Sequence, residues 1–202
     1  MGKRKSKNLR RKNKMVGNFD AKINKLSNDL SVIKNKIDLA TYELIKKLKD
    51  SKPVSINDNM DDISEDKDRS GCYLFEILIK RNCFIDNNFK KFEGKWNTHK
   101  NSINGYTFPR FNKKNAEEVY NNRNNYNDNW FPLYVGKAEN LKDRIKEHFE
   151  CETSTSALRI RLFKNHNNGF NFRIKWIKLP SNMIDYCEKN IHKELHPLIG
   201  KG

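Results

Sequence analysis

Two short triplets, Gly71-Cys72-Tyr73 and Tyr134-Val135-Gly136, sit in runs of apolar, β-branched and aromatic residues, and a third such run follows them. Cys72 to Ile79 is apolar at most positions and reads as a buried strand. Residues 131–138 give a second strand. Asn171 to Leu179 gives a third, with Phe172, Ile174 and Trp176 on one face and Arg173 and Lys175 on the other. Asn140 to Glu150 is a helix with a Leu141, Ile145, Phe149 stripe. Thr155 to Asn165 is another, with Ser154 or Thr155 as its N-cap. Met183 to Leu195 is the last, with Pro197 just beyond it. The order is strand, insert, strand, helix, helix, strand, helix. It predicts an α+β domain, a small three-stranded sheet flanked by helices.

Charge points to the partner. Lys and Arg outnumber Asp and Glu 41 to 25, a formal charge of +16. That excess favours a polyanion, nucleic acid before an acidic membrane surface. It is unevenly spread: about +10 over residues 1–50, about −3 over 51–70 and about +9 over 71–202. Residues 1–15 read as a disordered basic arm. Residues 16–50 read as a long helix in which Phe19, Ile23, Leu26, Leu30, Ile33 and Ile37 keep a heptad spacing that Leu44 and Leu48 resume. Such a helix dimerises, lies along DNA or folds back on its own domain. Residues 51–70, polar and acidic, read as a linker. No apolar run approaches the ~20 residues needed to span a bilayer, and no apolar segment follows the basic start as in a secretory signal. Cys72, Cys83, Cys151 and Cys187 fit no zinc spacing, and Cys72 and Cys187 read as small buried hydrophobes. A reducing cytoplasm follows, and heavy use of Lys, Asn and Ile fits a low-GC bacterium or its phage.

The chemistry-bearing residues cluster around the triplets. Glu188 falls within about 60° of Ile184, Ile191 and Leu195 on a helical wheel. A carboxylate so placed needs a basic partner or a metal. Arg144 and His148 lie four apart, on one side of their helix. Gly136 precedes that helix and leaves room for a phosphate near a helix N-terminus. Together Tyr73, Tyr134, Lys137, Arg144, His148 and Glu188 supply two phenols, an amine, a guanidinium, an imidazole and a carboxylate. That set suits a phosphodiester held with a divalent metal while water attacks phosphorus.

The joint pattern resembles the GIY-YIG nuclease family. It runs Gly-x-Tyr, then Tyr-x-Gly-Lys-x-x-Asn-Leu-x-x-Arg-x-x-x-His, then Glu-x-x-Ile-x-x-x-Leu-x-Pro, across roughly residues 71–202. The resemblance implies a mostly antiparallel sheet and hydrolysis of phosphodiesters with one Mg²⁺ or Mn²⁺ ion per active site. By resemblance, Glu188 is the metal ligand and Arg144 binds the scissile phosphate. One of Tyr73 and Tyr134 helps deprotonate the attacking water. Lys137 and His148 lower a tyrosine pKa or position that water. The chain departs from the family in two places: it lacks an Asn after Pro197, and it carries a long insert at about 81–130.

With no further domain after the nuclease-like region, the expectation is a type II-like restriction endonuclease making double-strand cuts. A homing, mobile-element or repair-type enzyme is the alternative. A non-catalytic DNA-binding protein and an RNA- or ribosome-associated basic protein are readings of another class. Double-stranded DNA is the expected partner. A homodimer through the heptad helix would supply two active sites, and restriction calls for a DNA methyltransferase encoded nearby. Arg173, Lys175, Arg110 and Lys113 are the candidate DNA contacts. The Asn-rich insert either reads bases, since Asn and Arg are common bidentate readers, or is an irregular loop.

Overall fold

The computed structural model describes residues 3–56, 69–79, 85–101, 109–122, 124, 126, 129–150, 157–166 and 169–200. The elements in chain order are α1 (Lys3–Asp50), β1 (Val54–Ser55), β2 (Gly71–Leu78), α2 (Ile85–Asn101), β3 (Arg110–Phe111) and α3 (Lys113–Asn121). They continue with β4 (Trp130–Ala138), α4 (Leu141–Glu150), α5 (Ile160–His166), β5 (Asn171–Lys178), α6 (Ser181–Leu195) and β6 (Ile199–Gly200). Cys83, Cys151, the caps at Ser154 and Thr155, and residues 57–68 of the acidic segment lie outside the described residues. No described helix is long and apolar enough to cross a membrane.

Two compact units divide the chain, residues 1–43 and 44–202, with the boundary inside α1. In the first unit α1 begins at Lys3, where the sequence predicts a disordered arm. Lys and Arg are good helix formers, and no Pro or Gly interrupts residues 18–50. Phe19, Ile23, Leu26, Leu30, Ile33 and Ile37 are all exposed.

The second unit is α+β. Its main sheet has four strands in the order β1-β5-β2-β4, antiparallel throughout. The three expected strands are β2, β4 and β5. The fourth, β1, lies in the segment expected to be linker. Val54 pairs with Ile174, the Ile56 N–H donates to the Phe172 carbonyl at 3.0 Å, and the Ile56 side chain is buried. A pair of residues is too short to leave a period-2 signal.

The sheet is covered on both faces. Tyr73, Phe75, Ile77, Phe131, Leu133, Phe172 and Ile174 pack on one side with Leu141, Ile145 and Phe149 of α4 and Phe163 of α5. Cys72, Leu74 and Val135 face the other side, against Ile184, Cys187, Ile191 and Leu195 of α6 and Ile45 and Leu48 from the last turns of α1. Cys72 and Cys187 are free and buried, and burial pushes the Cys72 thiol up to about 12.

The insert is not an irregular loop where it is described. Phe89, Phe92 and Trp96 of α2 and Val119 of α3 are buried in the same core. The Trp96 indole donates to the Pro109 carbonyl at 3.0 Å. Fully burying Phe92 and Trp96 contributes roughly 1.5–3 kcal/mol each toward ordering an otherwise polar segment. β3 pairs antiparallel with β6, Arg110 opposite Gly200 and Phe111 opposite Ile199. The residues after Pro197 thereby clamp the insert to the sheet: the Leu198 N–H donates to the Pro132 carbonyl, and its own carbonyl accepts from Asn112. Pro132 sits beside a bulge, where Phe75 pairs with Tyr134 but Glu76 with Pro132. An edge strand with a bulge is where proline is tolerated.

Candidate active site

The two triplets meet across the β2–β4 ladder. Tyr73 lies opposite Gly136, and Cys72 opposite Lys137. The glycines are steric necessities. A Cβ on Gly136 would overlap the Tyr73 hydroxyl, and one on Gly71 would overlap the Ile177 carbonyl oxygen. Gly136 therefore admits the Tyr73 ring, not the phosphate expected from sequence. It is a strand residue within β4, two residues short of that strand's end.

Strand alternation puts Tyr134 on the α4 side of the sheet and Lys137 on the α6 side. Asn140 caps α4, its side-chain carbonyl accepting from the Asp143 N–H at 3.2 Å. The cap sets the helix phase that turns Arg144 and His148 toward the phenols. His148 is fully buried. The Leu158 backbone N–H donates to its Nδ1 at 3.1 Å, and its Nε2 lies 2.6 Å from the Tyr73 hydroxyl oxygen. A neutral imidazole with Nδ1 accepting carries its proton on Nε2. Nε2 is therefore the donor and the Tyr73 oxygen the acceptor. Burial, then the Arg144 charge, pushes the His148 pKa down to about 3, so the ring is neutral at working pH. It touches the tyrosine and has no solvent-facing surface with which to position water.

Arg144 hydrogen-bonds Tyr73 and pairs with Glu147 one turn on. Burial works against its charge, but Glu147 and Tyr73 outweigh that and raise its pKa. Tyr73 hydrogen-bonds Tyr134. Because the Tyr73 oxygen already accepts from His148, its own O–H is available to donate to Tyr134. Burial raises both phenols, Tyr73 well above the usual value, while Arg144 pulls each down. In the free protein burial outweighs Arg144 at both phenols.

On the other side of β4, Lys137 Nζ lies 3.1 Å from Glu188 Oε2 and also pairs with Asp185. Hydrogen bonds to Asp185 and Glu188 raise the Lys137 pKa. Lys137 is thus committed to carboxylates, not to a phenol. Glu188 sits at the margin of the buried α6 stripe, its side chain 28% exposed. Tyr73, Tyr134, Arg144 and His148 form one cluster, with the two tyrosine ring centroids 6.3 Å apart, and the Lys137–Glu188 pair on the other side of the strand is near enough for the Glu188 charge to act on both phenols. The sequence reading misses Asp185, Glu147 and the Leu158 N–H. The first two sit three residues from Glu188 and Arg144 on the same helices, a spacing that could have found them.

Glu188 and Asp185 are the carboxylates that could serve a divalent cation. Mg²⁺ binds through one or two carboxylates together with substrate phosphate and water, seldom in an all-protein cage. A partly exposed Glu188 beside the phenols fits that chemistry. Among the described residues no group of three or more His, Cys, Asp and Glu converges as a metal cage.

The candidate DNA contacts divide. Arg110 and Lys113 are exposed, and Lys113 lies 3.4 Å from Glu93. Arg173 and Lys175 belong to an internal network. Glu76, buried in β2, takes Arg173 at 2.5 Å and Lys175 at 3.6 Å. Lys175 is buried and also donates to the Lys49 carbonyl at 2.6 Å, and Arg173 stacks 4.4 Å over Trp130. Lys175 has no solvent-facing ammonium to offer a phosphate. The network borders a cavity of about 440 Å³, also lined by Tyr126 and His196.

Comparison with protein-family models, with curated proteins and with solved structures gave no match.

Proposed function

We propose that the chain is a metal-dependent endonuclease of GIY-YIG type that hydrolyses DNA, most simply a type II-like restriction enzyme. The observation that carries this reading is the meeting of Tyr73, Tyr134, Arg144 and His148 with the Lys137–Glu188 pair around one strand. Glu188 is the residue that would hold Mg²⁺ or Mn²⁺. When bound, such an ion supplies Lewis-acid stabilisation of charge on the phosphoryl oxygens and the leaving group. Arg144, its side chain 23% exposed, binds the scissile phosphate and offsets charge that grows in the transition state.

Tyr134 is half-buried and Tyr73 fully so, which makes Tyr134 the phenol that meets water. Its own proton first leaves to solvent, which the Arg144 charge favours, and the phenolate then takes the proton of the attacking water. Tyr73 donates to that phenolate and is itself polarised by His148 and Arg144. The net positive charge of the chain supplies phosphate affinity without sequence choice. The second reading is a non-catalytic DNA binder, in which the same positive charge holds DNA and the cluster is structural.

Cleavage of supercoiled and phage genomic DNA with Mg²⁺ or Mn²⁺, comparing wild type with Glu188→Ala, separates the readings. Discrete fragments lost in the variant support a site-specific enzyme. Nicking or smearing lost in the variant keeps the nuclease and removes restriction. Binding without cleavage favours the second reading.

A further inference from the structure

Residues 19–40 of α1 carry an apolar seam that belongs to neither the sheet nor the tyrosine cluster. Phe19, Ile23, Leu26, Leu30, Ile33 and Ile37 are between 38 and 66% exposed. Their spacing of 4, 3, 4, 3, 4 is a 3.5-residue period. That period is the one that keeps a seam facing its partner when two helices supercoil around one another. Assigning Ile23, Leu30 and Ile37 to position a puts Phe19, Leu26, Ile33 and Ala40 at d.

The flanking charges choose the occupant. Lys22, Asp29 and Lys36 then fall at g, and Ser27, Lys34 and Thr41 at e. In a parallel pair of identical helices, each g residue faces the e residue five positions on in its partner. Asp29 meets the partner's Lys34 twice over, while Lys22 faces Ser27 and Lys36 faces Thr41. No like charges face each other. An antiparallel pair centred near residue 28 sets Lys22 against Lys36 twice and Asp29 against Asp29, and these repulsions outnumber the two attractions between Asp20, also at e, and Lys34. We propose that this face of α1 docks on the same face of a second copy of the chain, as a parallel two-stranded coiled coil. The inference stands apart from the nuclease reading, because its test uses DNA-free protein and no cleavage.

Sedimentation equilibrium of the full chain from nanomolar to high micromolar concentration should show a monomer–dimer equilibrium. Leu30→Asp should weaken it by about 100-fold or more, since two carboxylates enter the seam. Thermal melting of that variant should still show the folded 44–202 unit. Asp29→Lys and Lys34→Asp, each alone, should raise the dissociation constant about 3- to 10-fold, and the double exchange should restore it. Orientation is read by oxidative trapping of Ile37→Cys against the wild-type chain. Parallel pairing sets the two introduced thiols side by side; antiparallel pairing separates them by about 27 Å, beyond disulfide reach. A monomer at every concentration, a trimer or tetramer, or a dimer that the Ile37→Cys variant fails to trap would overturn the proposal.

Discussion

The central sheet carries two charged clusters, and they are built to opposite specifications. Glu76 is enclosed by Arg173 and Lys175, with side-chain exposures of 10, 18 and 9%. Each cation there has a second internal contact, Trp130 for Arg173 and the Lys49 carbonyl for Lys175. At the margin of β4, Lys137 and Glu188 stay 37 and 28% exposed, and the neighbouring phenols are held protonated by burial. The charges of the first cluster, though they border a cavity, are answered within the fold. The second leaves a carboxylate, a guanidinium and the Tyr134 phenol partly exposed. Shifted groups beside an open surface make the second cluster the candidate for chemistry.

The sharpest way to break that contrast is to remove Glu76. Glu76→Ala leaves two cations without their carboxylate, and losing one partner of a buried ion pair costs about 3–5 kcal/mol. Denaturant unfolding should report that loss, while cleavage per folded molecule stays near wild type. Arg144→Ala should do the reverse. Unfolding should change little, and the cleavage rate should fall by about 10²–10³, the effect of removing one positioned charge donor. If Arg144→Ala cuts DNA normally, the second cluster is as structural as the first.

Gly136→Ala tests whether the phenols need their packing. The added Cβ overlaps the Tyr73 hydroxyl, so the ring must move away from His148 and Tyr134. Overpacking of this kind costs about 1–3 kcal/mol, and displacement of a reacting group by an ångström costs on the order of 10² in rate. Restored cleavage in a Tyr73→Phe, Gly136→Ala double variant would sink the proposed role for the Tyr73 hydroxyl.

Apolar runs along the chain locate β2, β4 and β5, because buried strands need continuous hydrophobicity. The position of Glu188 beside Ile184, Ile191 and Leu195 locates the carboxylate. The insert is legible but easily passed over. Phe89, Phe92, Trp96 and His99 follow a 3, 4, 3 spacing, a helix stripe obscured by the surrounding Asn and Lys. Glu76 hides inside an apolar strand, and the charges that justify it are distant in sequence, on the neighbouring strand β5. Arg173 and Lys175 alternate outward as solvent-facing residues would, and only the covering of the second sheet face makes them internal. The Leu158 N–H that fixes the His148 tautomer has no side-chain signature.

His148 supplies a pH test of the second cluster. Its folded pKa, about 3, lies below the ordinary histidine value near 6.5, so the unfolded chain binds the proton first. Above pH 6.5 both states are neutral and the group contributes nothing to pH dependence. As pH falls below that value stability is lost, by about 2 kcal/mol at pH 5, and the loss continues toward the folded pKa. His148→Gln should flatten this part of the stability profile relative to wild type.

The smallest effect belongs to Asp185. It pairs with Lys137 but is 82% exposed, so water screens the pair. Asp185→Asn should change unfolding free energy by less than about 1 kcal/mol, as exposed ion pairs do. Its value lies in the comparison with Glu188. If Asp185 only tethers Lys137, the variant should cleave near the wild-type rate at saturating Mg²⁺. If the second carboxylate shares the cation, the Mg²⁺ concentration for half-maximal rate should rise while the saturated rate is kept. A Mg²⁺ titration of Asp185→Asn beside wild type thus decides whether the open cluster holds its cation with one carboxylate or two.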